Sequence, residues 1–130
     1  MLHAAPHSQS DMLYKGIMEN KSRAVFNGKV HVEKNAQKIL AQQANHHLLL
    51  SQQAEAYSKP ELEIYADDVK CKHGATTGQL DQDALFYLRA RGIEEADAVA
   101  MLLQGFSDNI MQRITHQGVK MRVQEMVQWS

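Results

Sequence analysis

The sequence predicts a chain in which β-strands come first and α-helices follow. From about residue 12 to residue 75, short apolar or alternating runs are separated by turn-forming residues, a pattern typical of strands. After Gly78 the apolar residues recur at steps of three and four, which is the spacing of amphipathic helices. Because the two patterns do not interleave, we expect segregated strands and helices, with residues 1–78 in the first part and residues 79–130 in the second.

The strand prediction rests on four runs, residues 12–18, 24–26, 30–32 and 62–65. Asn27-Gly28 and Lys59-Pro60 are interpreted as turns, and Asn27-Gly28 by itself favours a two-residue hairpin. The recurrence of short strands also suits a sandwich or a β-solenoid, so these alternatives stay open. The spacing of apolar residues within 36–44 favours a helix, although it would be short and isolated.

Capping residues mark the first two helices of the second part. Asp81 is placed to N-cap the first helix, and Gly92 is placed to end it. Glu94 and Glu95 open the second helix, because carboxylates suit the positive N-terminal end of the helix dipole. Gly105 is expected to end or bend this second helix.

Two further apolar stripes follow, over residues 110–114 and, after Gly118, over residues 119–127. The methionines of the helical part are interpreted as core residues. A soft docking face for a partner is the alternative, because methionine packs adaptably. The residues concerned are Met101, Met111, Met121 and Met126.

Composition excludes several classes of protein. The formal net charge of −1 does not support nucleic-acid binding through phosphate neutralisation, and the longest aliphatic run, residues 98–103, is far too short to span a membrane. A single cysteine excludes an internal disulfide framework and fits a reducing, cytoplasmic location. Neither a P-loop nor a G-x-S-x-G, H-E-x-x-H or C-x-x-C motif occurs, so we expect no enzyme and no bound nucleotide.

One short stretch, Val69 to His73, has the residue types of a metal site. On a strand, Val69, Cys71 and His73 project to one face while Lys70 and Lys72 project to the other. Residues two apart lie about 6.5 Å apart along the strand, so the thiolate and the imidazole can lean toward one metal ion. The lysines are expected to favour the thiolate. The alternative is that Cys71 is a small buried hydrophobe with a purely structural role.

The other histidines are expected to have structural or solvent roles. His3 and His7 lie near the start of the chain, and His116 lies before a glycine. His46 and His47 alternate across a strand, so they cannot both face one site.

Longer stretches around the Cys71–His73 pair resemble the SufB/SufD family of iron–sulfur cluster assembly scaffolds. Gly74 and the run Gly78-Gln79-Leu80-Asp81 resemble the SufD branch of that family more than the SufB branch. The resemblance covers nearly the whole chain. It is carried by residues 14–17, 22–28, 45–51, 59–76, 78–81 and 84–93.

The resemblance implies a right-handed parallel β-helix followed by a small C-terminal helical domain. Residues 1–78 would be the C-terminal rungs of the β-helix, with Asn27-Gly28 at a corner and residues 36–44 as a strand. Members of the family are much longer, so this chain is expected to be a C-terminal fragment.

The resemblance also implies a scaffold subunit without enzymatic activity. Cys71 and His73 would be ligands of a transient iron–sulfur cluster at the interface with a SufB-like subunit, and the helices would dock a SufC-like ATPase. The truncated chain is expected to form a homodimer. The alternative is a structural adaptor for the ATPase with no metal ligand of its own. A helix-turn-helix DNA-binding module over residues 80–103 is disfavoured, because Glu94, Glu95 and Asp97 would repel phosphate.

Overall fold

The computed structural model describes residues 1–127, and it divides into a strand unit that ends at Gln79 and a helical unit that begins at Leu80. The predicted order of strands and then helices is therefore confirmed. In the strand unit, β1 covers Leu2–His3, β2 Gln9–Met18, β3 Arg23–Val32, β4 Ile39–Leu49, β5 Glu55–Ile64 and β6 Val69–Gln79.

All strand pairing is parallel and lies in two three-stranded sheets. One sheet has the order β1-β3-β5 and the other the order β2-β4-β6. Successive strands therefore alternate between the two sheets, and each of the strands β1 to β4 pairs with the strand two places later in the chain. This arrangement needs no hairpin, because parallel neighbours require a longer crossover connection.

The apolar core lies where inward-facing residues of the two sheets meet. Alternate residues of β3 and β4 are buried, as expected for strands with one face packed and one exposed. Leu62, Val69 and Cys71 pack against this core as partly buried neighbours. The core cluster itself consists of Val30, Val32, Ala36, Ile39, Ala41 and Ala66.

The predicted turn at Asn27-Gly28 is wrong, both as a hairpin and as a corner. These residues lie in the middle of β3, where Gly28 is buried. A Cβ on Gly28 would overlap the Gln43 amide and lie 2.6 Å from the Phe26 ring. The glycine is therefore required by close packing within the strand unit, and not by turn geometry.

Two other predictions of local structure are also wrong. The helix favoured by spacing over residues 36–44 is absent, because β4 begins at Ile39 and pairs with strands on both sides. The strand that the family resemblance implied there is correct. Lys59-Pro60 lies within β5, which is the outer strand of its sheet within residues 1–127. Proline is tolerated there because an outer strand has one edge without ladder hydrogen bonds.

Three helices form the described part of the helical unit. Helix α1 covers Gln82–Ala90, α2 covers Glu95–Arg113 and α3 covers Gln117–Met126. The Asp81 carboxylate accepts hydrogen bonds of 3.0 Å from the backbone N–H groups of Asp83 and Ala84, so the predicted N-cap is confirmed. Gly92 has a φ of 86° just beyond the end of α1, which confirms its predicted role.

Helix α2 is longer than the sequence predicted. It begins after Glu94 as expected, but it continues through Gly105 to Arg113, so the predicted third segment belongs to α2. Gly118 lies inside α3, and the His116 side chain caps that helix by accepting a hydrogen bond from the backbone N–H of Val119. No helix within residues 1–127 is long and apolar enough to cross a membrane.

The methionines of the helical unit were predicted to be core residues, and for three of them this is wrong. Met101, Met121 and Met126 are exposed. The buried residues of α1 and α2 are instead Leu85, Ala98 and Leu103. Apolar side chains are thus left on the surface of this unit, which is the condition that a docking face requires.

Candidate functional site

Cys71 and His73 lie on β6, the outer strand of the β2-β4-β6 sheet within the described residues. Cys71 is partly buried and packs on the core, in register with Ala41 of β4. His73 is two residues further on the same strand, in register with Gln43, and it is exposed. The predicted alternation therefore brings a thiol at the edge of the core next to a solvent-exposed imidazole.

The environment of Cys71 favours the protonated thiol. Burial raises the pKa of the Cys71 thiol, and a backbone hydrogen bond from Ala41 opposes that shift only in part. The expected stabilisation of the thiolate by Lys70 and Lys72 is not found, because Cys71 packs inward on the core while both lysines are exposed. A metal ion would have to displace the thiol proton in order to bind there.

The remaining ligands of a metal site do not come from nearby side chains. Within residues 1–127, no group of three or more histidine, cysteine, aspartate or glutamate side chains is close enough to hold a metal ion. A tetrahedral iron or zinc centre takes four ligands, so Cys71 and His73 would supply half of one.

The surface of β6 beyond Cys71 is open. All of residues 72–79 are exposed, and a Cβ added at Gly74 or Gly78 would meet no atom within 4 Å. Glycine in a strand often marks a place where another backbone approaches closely. An exposed outer strand with this composition can pair with a further chain.

Sequence reasoning missed a second set of polar residues, which lies inside the strand unit. Gln43, Asn45 and His47 occupy alternate positions of β4 and are 2%, 0% and 8% exposed. The prediction that His46 and His47 face opposite ways is confirmed, since His46 lies 2.7 Å from the Thr76 hydroxyl in an exposed contact. The sequence signal for this set is an alternation with a period of two from Ile39 onward, which competes with the helical spacing of the apolar residues within 36–44.

His3 has the structural role that was one of the two roles expected for it. It is only 3% exposed, and its two ring nitrogens lie 2.7 Å and 2.8 Å from the hydroxyls of Ser8 and Ser10. Burial lowers the pKa of His3, and the positive N-terminus lowers it further. His3 is therefore a structural residue of the folded strand unit.

Comparison with known proteins defines the class to which this arrangement belongs. Residues 1–106 match the family model described as SUF system FeS cluster assembly, SufBD core domain. The chain belongs to this family of iron–sulfur cluster assembly proteins.

Among individual relatives, the chain is similar to proteins named SufD. It is 44% identical to the iron–sulfur cluster assembly protein SufD of Escherichia coli over 121 residues, which is 93% of this chain and 29% of that protein. It is 30% identical to SufD of Bacillus subtilis over 128 residues, 98% of this chain and 29% of that protein. A SufBD family protein of Synechocystis is 43% identical over 122 residues, 94% of this chain and 27% of that protein. The chain thus spans less than a third of the length of these relatives.

Proposed function

We propose that this chain is the C-terminal part of a SufD-like scaffold subunit, at whose edge an iron–sulfur cluster is assembled. The observation that carries the proposal is the position of Cys71 and His73 on an exposed outer strand, within the segment that matches the SufBD core. The cluster is the cargo of the scaffold, which supplies ligands and a surface. In this proposal the chain does not turn over a substrate and binds no nucleotide itself.

The strand unit is proposed to be the last rungs of a right-handed parallel β-helix. Support comes from the alternation of successive strands between two parallel sheets, which is how a solenoid with two strands per rung is built. The right hand follows from the general preference of crossovers between parallel strands.

A SufB-like subunit is the proposed partner at β6. The exposed edge over residues 72–79 and the open space at Gly74 and Gly78 allow a second backbone to approach and pair. Such a partner would place its own ligands opposite Cys71 and His73. Iron–sulfur clusters are held mainly by thiolates with occasional imidazole ligands, so this pair suits a cluster completed from both chains.

The first test is cluster formation in the assembled complex. We expect Cys71→Ser and His73→Ala each to lower the yield of cluster, measured by anaerobic iron and sulfide content with the SufB-like subunit and the ATPase present. Lys70→Ala is the matched control, because Lys70 lies exposed on the opposite face of the same strand.

Circular dichroism of each variant separates ligand loss from unfolding. If both variants keep their fold and form cluster as well as the wild type does, Cys71 and His73 are structural and the adaptor alternative is correct. The same conclusion follows if both variants unfold the chain.

The helical unit is proposed to dock the SufC-like ATPase. A groove of about 610 Å³ lies where α1 is followed by the start of α2, and the Phe86 ring beside it is 74% exposed. A partner that covers the exposed Phe86 ring would remove a large apolar surface from water, which favours binding at this groove. The Arg89–Glu95 ion pair of 3.0 Å ties α1 to α2 at this groove.

Docking is tested by the affinity of the ATPase for two variants. We expect Phe86→Ala to weaken binding about tenfold or more, which is the usual effect of removing an aromatic hot spot. Gln104→Ala, on an exposed position of α2, is expected to leave affinity unchanged. Unchanged binding by Phe86→Ala, or by a chain truncated after Gln79 that stays folded, would place the ATPase elsewhere.

A further inference from the structure

Three polar side chains lie on the inner face of β4 between the two sheets. Gln43, Asn45 and His47 alternate along the strand, and each is more than nine-tenths buried. Burying polar groups in this way is costly unless hydrogen bonds replace those that water would make. We call Gln43, Asn45 and His47 the polar row. The hydrogen bonds that its side-chain atoms make, and those that they lack, indicate which molecule could bind between the two sheets.

Part of the row is satisfied by protein groups. The Asn45 Nδ2 donates a hydrogen bond of 2.7 Å to the hydroxyl of Ser58 on β5, and it lies 3.1 Å from Nε2 of His47. Since an amide nitrogen only donates, Nε2 of His47 must accept that hydrogen bond. Burial lowers the pKa of His47 and so favours the neutral ring, in which the acceptor role of Nε2 leaves the single proton on Nδ1.

The rest of the row has no protein partner among the described residues. The buried atoms concerned are Nδ1 of His47, Oδ1 of Asn45, and both Nε2 and Oε1 of Gln43. The set therefore consists of two donor groups, the His47 N–H and the Gln43 amide, and two acceptor oxygens. None of these groups is charged, so the row offers no opposite charge that would bind an anion or a cation. The set therefore matches a small neutral molecule that can both donate and accept hydrogen bonds. Water has these properties, and buried water commonly satisfies such groups.

Two glycines show that the chain makes room for the row. Gly16 of β2 is in register with His47, and a Cβ there would overlap the His47 ring. Gly28 of β3 faces the row from the other sheet, where a Cβ would overlap the Gln43 amide. The polar side chains thus fill space that two glycines leave beside them, so the row is an integral part of the packing.

We propose that the polar row forms an internal hydration site, in which ordered water bridges Gln43, Asn45 and His47 between the two sheets. Each bridging water would complete about three hydrogen bonds, which is usual for buried water. The site would also determine the register of β4, because a shift by one residue would turn all three side chains outward.

A high-resolution crystal structure of the chain tests the site directly. We expect ordered water within about 2.7–3.2 Å of at least two of the four unpartnered atoms. Nitrogen chemical shifts in NMR spectra are expected to place the His47 proton on Nδ1. A dry interior, or a structure in which these atoms bond directly to protein groups, would overturn the proposal.

Stability provides a second test with a matched control on the same strand. Gln43→Met keeps the side-chain volume but removes the amide group that would hydrogen-bond the water. We therefore expect the denaturant midpoint of this variant to fall. Gln42→Met changes the neighbouring exposed glutamine and should leave the midpoint unchanged. If Gln43→Met raises the midpoint or leaves it unchanged, the wild-type amide is unsatisfied and the site is dry. If Gln43→Met does not fold, the presence or absence of ordered water in the wild-type crystal structure decides whether the proposal is correct.

Discussion

Glycine has two different roles in the strand unit, and the surroundings of each glycine distinguish them. Gly16 and Gly28 are packed against the side chains of His47 and Gln43, where a Cβ cannot be accommodated without movement. At Gly74, by contrast, a Cβ would enter open space on an exposed strand. The first kind of glycine allows close packing inside the strand unit. The second kind leaves open space in which the backbone of another chain could approach.

This difference predicts that the same substitution, glycine to alanine, changes stability at one position and not at the other. Gly28→Ala is expected to lower the free energy of unfolding by about 1–3 kcal/mol, because the added methyl group forces the Gln43 amide and the Phe26 ring to move. Gly74→Ala is the control and should change it by less than about 0.5 kcal/mol. Chemical denaturation of both variants measures the difference, and equal effects would show that Gly28 is not closely packed.

Among the elements, β6 combines a structural and a recognition role. Val69 and Cys71, near its beginning, pack on the core, while residues 72–79 are all exposed and have one edge unpaired within the described chain. The strand therefore packs on the core at its beginning, and along its unpaired edge its backbone N–H and C=O groups can form hydrogen bonds with another strand. Charged side chains oppose pairing at such an edge, and on β6 they are Lys70 and Lys72, near its beginning. Residues 73–79 contain no Asp, Glu, Lys or Arg, so this part of the edge is open to pairing with another chain.

We therefore predict that the isolated chain self-associates through β6. Light scattering at high protein concentration should report a homodimer or a larger species, in place of the proposed heterodimer with a SufB-like subunit. Gly74→Lys is expected to shift the equilibrium toward monomer, because a charge on an edge strand opposes pairing. Gln52→Lys, which adds the same charge in a turn, should have no such effect. A strictly monomeric wild-type chain would contradict the prediction.

The stability of the whole chain should depend on pH through its buried histidines. Burial lowers the pKa of both His3 and His47 below the ordinary value of 6.5. As the pH falls below 6.5, the unfolded chain takes up protons that the folded chain excludes, so the free energy of unfolding decreases. The decrease is complete once the pH has passed the lowered pKa values. Above pH 6.5 the contribution is fully present.

Chemical denaturation at pH 7.5 and at pH 5.5 measures this dependence. His47→Gln is expected to reduce the difference between the two conditions, whereas His7→Gln, at an exposed position, should preserve it. An undiminished difference in both His47→Gln and His3→Gln would assign the effect to other groups. A separate loss of stability is expected below pH 4.5, where Glu63 becomes protonated, because its hydrogen bonds with Lys29 and His31 lower its pKa.

The amino-acid sequence by itself determined the order of strands and helices, the caps of α1 and the family. Asp81 and Gly92 could be interpreted correctly because a helix cap depends on groups only a few residues away. The alternation of Cys71 with Lys70 and Lys72 was equally predictable, since it follows from the period of a single strand. These are short-range properties, and the residues that produce them are neighbours in the chain.

Only the tertiary structure decided which turn-like residues lie within strands and which polar residues lie inside. Asn27-Gly28 continues β3 because it pairs with Lys59-Pro60 of β5, a partner that is distant in sequence. The burial of His47 likewise depends on a sheet of β2, β4 and β6 packed against a second sheet. Parallel pairing joins strands that are separated by a strand of the other sheet. No local pattern encodes that contact, and the alternation along β4 by itself does not show that its polar face is enclosed by the second sheet.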